Sequence, residues 1–518
     1  MLAKVKSSAL RGIEAQIVEI EVDIAAGLPG TTIVGLPDTA VKESRDRVKT
    51  AVKNSGFNYP MRKIVVNLAP ANVRKEGVSF DLPLALGILS ATGQMAKDES
   101  TNFAFPENKN LSDFMFLGEL SLDGTLRRVN GILPVALEAK KRGIRGIVIP
   151  GSNANEAAIV EGLEVVPAES LSEVVQFLKG EFTPEVPICN RDEILTRDFS
   201  YDVDFSEVIG QEHAKRGLEV AAAGSHNILM IGPPGAGKTM LARRLPTIIP
   251  DLTFEEALEI TRVHSAAGLL HSGQALLRIR PFRSPHHTIT DPGLIGGGSF
   301  PQPGEISLAH NGVLFLDEFP EFKRSALETL RQPLEDGCVT ISRVSGAVTL
   351  PARFMLVAAM NPCPCGYYTD PRKECKCTPN QIQKYIYRIS GPLLDRIDIH
   401  IEVPPVKDIV SREANAESSA SVRERANKSR KIQEERFKDE DFFSNASMQT
   451  KHIKKYCGIG DDAKNLLQLA MSELGMSARA YHRILKVART IADLAESPNI
   501  ETEHISEAIQ YRALDRTQ

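Results

Sequence analysis

The sequence predicts an α/β chain in three parts: an α+β region, a central α/β region and an all-helical region. Three observations point there. Short β-type runs alternate with helical ones in the N-terminal third, a β-type run near position 230 leads through a glycine-rich loop into a helical pattern, and the C-terminal stretch holds amphipathic helices. At 518 residues the chain is long enough for several cores, and 25% charged with 42% hydrophobic residues is ordinary globular composition. A net charge of −4 excludes a polycation, so nucleic-acid binding must come from local basic features. The opening MLAKVKSSALRGIEAQIVEI has no apolar core of a leader, and no run approaches the ~18 apolar residues of a membrane span. A cytoplasmic chain without a membrane partner is expected.

Two composition shifts divide the chain. KGEFTPEVPICNRDEILTRDFSYDVDF is proline-containing, charged and aperiodic, and reads as a linker. SREANAESSASVRERANKSRKIQEERFKDED lacks a continuous apolar face at first and then reads as a charged, exposed helix. The expected domains are residues 1–180, a linker 181–204, a core 205–408 and a helical region 409–518. In the first, AQIVEIEVDI, TTIVGL, KIVVNLAP and GIVIP read as strands, and DTAVKESRDRVKTAVKNSG as a helix with a glycine stop. In the last, GDDAKNLLQLAMSELG, SARAYHRILKVARTIADLAE and ETEHISEAIQYRAL read as three amphipathic helices.

The strongest signal is NILMIGPPGAGKTMLARRL. Gly232, Pro233, Pro234, Gly235, Ala236, Gly237, Lys238 and Thr239 satisfy the phosphate-binding P-loop pattern between a strand and a helix. Backbone N–H groups of such a loop wrap phosphates at a helix N-terminus, Lys238 reaches the β- and γ-phosphates of ATP, and Thr239 ligates Mg²⁺. GVLFLDEF then brings Asp317 and Glu318 to the end of an apolar strand. Alone this is an ordinary strand end. Beside a P-loop, Asp317 holds the Mg²⁺ shell and Glu318 orients or deprotonates the attacking water. RFMLVAAMN ends a third strand on Asn361, either a water-positioning amide or a turn cap before Pro362. Arg396, in SGPLLDRIDIHIEVP, precedes another β-type run, and is either a cation for a neighbouring subunit's γ-phosphate or a surface ion pair. His286 and His287 are read as loop or interface residues pointing apart, with a nucleic-acid contact their one functional option.

This set resembles the AAA+ ATPases, specifically the magnesium-chelatase-like branch of ComM/YifB competence-related proteins. SPHHTIT, GGGSFPQPGEISLAHNGVLFLDEFPEF, LRQPLEDG, NPCPCG and GPLLDRID all match that group. The resemblance implies a homo-hexameric ring with ATP at subunit interfaces, Arg396 as arginine finger, Arg479 as sensor 2, and Gln211 in the segment lining the adenine pocket. It implies an ATP-driven DNA motor, a helicase or branch-migration translocase on single-stranded or branched DNA in recombination and natural transformation. The rivals are an ATPase that remodels a partner for metal insertion and an ATP-dependent protease. DPGLIGGGSFPQPGE looks like the helix-2 insertion of this branch and reads as an exposed loop. CVTISRVSGAVTLP suits a β-hairpin with Arg343 near its tip. In the resembling family both insertions face the pore and touch nucleic acid; a plain surface hairpin is the alternative for the second.

Four of the seven cysteines crowd into NPCPCGYYTDPRKECKC. Cys363, Cys365, Cys375 and Cys377 suit a closed tetrahedral zinc site, although C-x-C spacing departs from the commoner C-x₂₋₄-C, and loop cysteines without metal are the alternative. Tyr367, Tyr368, Arg372 and Lys373 between them offer stacking and phosphate contacts to DNA. Cys189, Cys338 and Cys457 read as reduced packing residues.

NLAPANVRKEGVSFDLPLALGILSATG and FLGELSLDGTLRRVNGILPVALEAKKRGIRGIVIP resemble the proteolytic domain of Lon, of ribosomal-protein-S5-like fold. Ser79 falls near that family's nucleophile, but the partner lysine's position holds Leu133, and Asp81 stands in place of a small glycine. A serine without a base is a poor nucleophile. The resemblance therefore implies a domain that has lost proteolysis and serves assembly or DNA binding, with Ser79 in a local backbone hydrogen bond.

Overall fold

The computed structural model describes residues 2–72, 74, 75, 77–95, 110–186, 201–298, 301–343, 346–368, 370–405 and 417–512. It forms two compact units. One comprises Met1–Arg197, Ala257–Arg278 and Gly298–Pro303; the other comprises Asp198–Glu256, Ile279–Gly297 and Gly304–Gln518.

The first unit is built on a mixed sheet in the order Gly30–Val34, Lys63–Ala69, Glu14–Ala25, Leu2–Arg11, Phe114–Phe116, Gly146–Pro150, Glu164–Ala168. Alternate residues Val18, Ile20 and Val22 of the long second strand are buried, as a strand with one covered face requires. The helix Thr39–Asn54 starts where Asp38 accepts from Val41 N at 2.7 Å. Leu2–Arg11 is a strand that the sequence pattern did not announce. Ser7 stands in register with the buried Ala3, Val5 and Ala9, Ser8 is buried on the opposite face, and both break the apolar alternation; Ser8 Oγ donates to the Gln16 carbonyl across the hairpin at 3.0 Å.

Where the Lon resemblance placed a missing base and lost a glycine, the positions are buried and bonded. Leu133 is fully buried in the first turn of the helix Ile132–Lys141, and its N–H donates to Glu156 Oε1 at 2.9 Å. Asp81, also fully buried, accepts from Arg47 Nε at 2.9 Å, Arg47 Nη2 at 3.1 Å and Leu120 N at 3.2 Å. The backbone bond expected of the Ser79 hydroxyl is not found among the described residues; it is the Ser79 carbonyl that bonds, accepting from Gly118 N at 3.0 Å. The half-buried hydroxyl has solvent to satisfy it.

The second unit holds a five-stranded, all-parallel sheet ordered Phe282–Arg283, Val313–Leu316, Met355–Met360, Ile228–Ile231, Ile399–Glu402. The runs ILMI, VLFL and MLVAAM are buried throughout, as strands covered on both faces must be. The chain enters at Ile228–Ile231, moves to the far edge and returns strand by strand, so the loop after the first strand opens beside Met355–Met360 at a topological switch point. The mixed α/β fold with a helical C-terminal part is the one expected. Asp461–Glu473, Ala478–Leu494 and Thr502–Gln510 are the anticipated helices, and one core runs from Ile228, Val357 and Ile399 into Ile484, Val487 and Ile505.

Three expectations change. Ser419–Arg436 is a helix, but not an exposed one: Val422, Ala426, Ser429, Arg430 and Gln433 are buried. Its inward face is largely polar and bonds rather than packs, with Gln433 Nε2 donating to the Ala223 carbonyl at 3.0 Å and Arg430 Nη2 to Ser225 Oγ at 2.7 Å. An apolar pattern therefore cannot reveal it. The stretch expected as an exposed loop contains a helical turn, Asp291–Ile295, capped by Thr290 and burying Leu294. His286 and His287 do not point apart; their rings lie 4.1 Å from each other, with His286 Nδ1 3.0 Å from Thr288 Oγ1.

The hairpin forms as expected, with Cys338–Arg343 antiparallel to Gly346–Pro351 and Arg343 opposite Gly346 at its end. The Arg343 side chain lies outside the described residues, as does Cys189. Cys457 is buried and Cys338 half-buried; burial pushes the Cys457 thiol up to about 12.

Candidate functional site

The site assembles at the C-terminal ends of the parallel strands. Ile228–Ile231 runs into the loop and then the helix Lys238–Arg244. Gly232 must be glycine, because a Cβ there would sit 2.2 Å from the Val403 carbonyl oxygen. Gly235 and Gly237 take φ of +75° and +90°, and a Cβ on Gly235 would meet nothing within 4 Å, which leaves the loop's concave side open. Lys238 is buried, with Nζ donating to the carbonyls of Gly232 (2.6 Å) and Pro233 (3.0 Å) and to Asn361 Oδ1 (3.2 Å). Burial lowers its pKa and Asp317 partly opposes this.

Thr239 Oγ1 donates to Asp317 Oδ2 at 2.8 Å, pairing the hydroxyl and carboxylate that sequence spacing assigned to one cation. These oxygens beside a glycine-rich loop that runs into the helix Lys238–Arg244 fit ATP with Mg²⁺. Glu318 has φ of +52°, an uncommon conformation for a non-glycine residue that turns its carboxylate out of the strand. That carboxylate lies 3.1 Å from His287 Nδ1. Sequence reasoning named His287 only as a loop or interface residue and missed its place beside Glu318. Its signal was SPHHTIT following Phe282–Arg283, the strand that pairs with Val313–Leu316.

Gln211, at φ +59°, donates through Nε2 to the Ala236 carbonyl (2.5 Å) and the Pro404 carbonyl (3.2 Å). Its Oε1 is buried with no hydrogen-bond partner among the described residues. Asn361 sits at the end of Met355–Met360, and its backbone faces the Tyr385 hydroxyl, whose pKa burial pushes up to about 12. Two predicted residues stand apart from this cluster. Arg396 is buried, paired with Glu335 and the Pro392 carbonyl, with Nε unpartnered. Arg479 is exposed in the first turn of Ala478–Leu494, with Nη1 3.6 Å from Asp395 Oδ2.

With this geometry the comparisons agree. The profile described as "Magnesium chelatase, subunit ChlI" matches residues 204–410, "Subunit ChlI of Mg-chelatase" matches 20–153, and "Magnesium chelatase, subunit ChlI C-terminal" matches 416–512. Competence protein ComM of Haemophilus influenzae is 46% identical over 99% of this chain and 98% of its own length. YifB of Escherichia coli is 45% identical over 99% and 98%. The chain belongs to the ComM/YifB family of magnesium-chelatase-like proteins. Lon protease 2 of Bacillus subtilis is 29% identical over 150 residues, 26% of this chain and 25% of its own.

Membership of the ComM/YifB family makes the P-loop unit an ATPase of AAA+ type and implies ATP and Mg²⁺. Among the described residues, no helix is long and apolar enough to cross a membrane. This family member also carries the expected cysteine cluster as a physical group. One sulfur from each of Cys363, Cys365, Cys375 and Cys377 lies within 4.8 Å of all the others. The Tyr367 and Lys376 backbones bond to the Cys365 sulfur and hold that thiol down to about 6. Between the pairs, Lys373 Nζ lies 4.8 Å from the Tyr367 ring centroid and Arg372 pairs with Asp370 at 3.1 Å, while Tyr368 is exposed.

Proposed function

We propose that this chain is an ATP-driven DNA motor: a homo-hexameric helicase or branch-migration translocase acting in the cytoplasm in recombination and natural transformation. The observation that carries the reading is the convergence of Lys238, Thr239 with Asp317, Glu318, Asn361 and Gln211 on the ends of adjoining parallel strands and the P-loop. Bound ATP with Mg²⁺ supplies the γ-phosphoryl group and the cation that offsets its charge. Lys238 exchanges two carbonyl acceptors for phosphate oxygens, which favours its charged form. Thr239 and Asp317 hold the cation through oxygen, the donor type Mg²⁺ prefers. Glu318, once it leaves His287, orients and deprotonates water, while Asn361 positions that water from the neighbouring strand. Gln211 offers its orphaned carbonyl oxygen to the adenine edge.

Arg396, released from Glu335, stabilises charge at a neighbouring subunit's nucleotide, and Arg479 serves as the second sensor. The hairpin bearing Arg343 grips DNA phosphates in the pore. A full-length relative named for competence supports the DNA reading over a protein-remodelling one. The first unit, with Leu133 where a base would be needed, serves assembly or DNA binding rather than proteolysis. The four cysteines hold a structural zinc ion.

The test is ATPase activity of the full chain alone and with single-stranded, duplex and branched DNA, alongside strand displacement. DNA-stimulated turnover with displacement is expected. Turnover indifferent to every DNA, with no displacement, overturns the motor and leaves remodelling of a metal-insertion partner.

A further inference from the structure

The cysteine cluster has metal geometry. Its Sγ–Sγ separations of 3.3 Å (Cys363 to Cys365), 3.7 Å (Cys363 to Cys375) and 3.6 Å (Cys365 to Cys375) are far from a disulfide. They approach the ~3.8 Å edge of a tetrahedron of thiolates each ~2.3 Å from zinc. Cys377 N also donates to Cys375 Sγ at 3.4 Å.

The cluster is also built into the phosphate loop. Gly366, inside the first cysteine turn, closes it by donating to the Cys363 carbonyl at 3.0 Å and has φ of +86°. A Cβ on Gly366 would lie 2.6 Å from Pro234 Cδ and 2.8 Å from Pro234 Cγ, so this turn rests directly on the P-loop. Cys363 follows Asn361 by two residues, and Asn361 Oδ1 is the side-chain acceptor of Lys238 Nζ. Beyond Cys377, Thr378 opens the helix Pro379–Ile386, which returns Tyr385 to the Asn361 backbone. The described residues from Asn361 to Tyr385 thus begin and end beside the nucleotide site, and the four thiols between them are placed to cross-link that stretch once a metal binds. Charged and polar residues dominate between the cysteine pairs, leaving little apolar surface to order the loop otherwise.

We infer that the zinc-bound knuckle forms one wall of the nucleotide site, so that metal occupancy sets nucleotide affinity. The inference rests on the nucleotide-site reading above. Without the cross-link the turn under Pro234 and the reach of Asn361 lose their support, and the P-loop gains disorder that nucleotide must then remove.

The experiment uses the full chain from zinc-supplemented culture, purified without chelators. Metal analysis measures zinc per chain. A fluorescent ATP analogue with Mg²⁺ measures affinity before stripping with a mercurial, after stripping, and after thiol recovery with added zinc; far-UV circular dichroism monitors folding. About one zinc per chain is expected, with affinity falling about tenfold on stripping and returning with zinc. Gly366→Ala, which leaves all four thiols, decides the matter if stripping unfolds the protein. It should retain zinc yet bind nucleotide about tenfold more weakly, because the new methyl displaces Pro234 and a left-handed φ disfavours alanine. Stripped protein or Gly366→Ala binding within about twofold of the intact chain overturns the coupling. Absence of zinc overturns the metal assignment. Zinc-loaded wild type that binds no nucleotide instead overturns the function proposed above.

Discussion

The Lon-like positions of the first unit and the P-loop site differ in how their polar groups are used. In the first unit the chemistry-bearing positions have been absorbed into structure. Asp81 has three donors, Leu133 is buried, and Glu156 accepts from Leu133 N, from Asn153 Nδ2 at 3.1 Å and from Ser265 Oγ. At the P-loop the polar groups are gathered around one orphaned atom. Lys238 leans on carbonyls, Gln211 Oε1 has no partner, and Glu318 holds a strained backbone to present an exposed carboxylate. The bonded carboxylates of Asp81 and Glu156 serve stability, whereas Gln211 Oε1 is left for a ligand to meet, since an unmet buried polar atom costs free energy that a ligand can recover.

Mutations at the two places should therefore fail differently. The largest effect is expected from Glu318→Gln: steady-state ATP turnover should fall about 10²–10³-fold while nucleotide still binds, because the water loses its base but Asp317 and Thr239 survive. Turnover within a few fold of wild type would remove Glu318 from catalysis. Asp81→Ala should leave ATP turnover intact below its melting point but lower unfolding stability by about 3 kcal/mol in a denaturant titration, since Arg47 and Leu120 N lose a buried acceptor together. An unchanged midpoint would mean the ion pair is ornamental.

His287→Ala sharpens the contrast within the active unit. The pair with Glu318 is partly exposed, so a shift of about threefold in basal turnover with unchanged nucleotide affinity is expected. A change in affinity instead would place His287 on the nucleotide. Smallest of all, Ser79→Ala should move stability by less than about 0.5 kcal/mol and leave turnover untouched. Measurable loss of a peptidase activity in that variant would reverse the reading of the first unit.

Sequence by itself determined the features whose chemistry is local. GPPGAGKT uses Gly232, Gly235 and Gly237 to bend one loop, Asp317 and Glu318 end one apolar strand, and the hairpin 338–351 is an alternation around one turn; each is legible because its reason lies within one short segment. It also showed that Leu133 is no base. What only the tertiary structure decided is which distant residues share an edge. Phe282–Arg283 pairs with Val313–Leu316, and this brings His287 to Glu318; Pro379–Ile386 folds back to set Tyr385 on Asn361; the knuckle turn comes to rest on Pro234. The polar face of Ser419–Arg436 belongs here as well, because its burial depends on carbonyls and hydroxyls of Glu212–Gly224 and its C-cap rather than on any apolar stripe of its own. Periodicity reports how much apolar surface an element must cover. It carries no information on strand order or on hydrogen bonds between elements, and those two decided the site's remaining contacts.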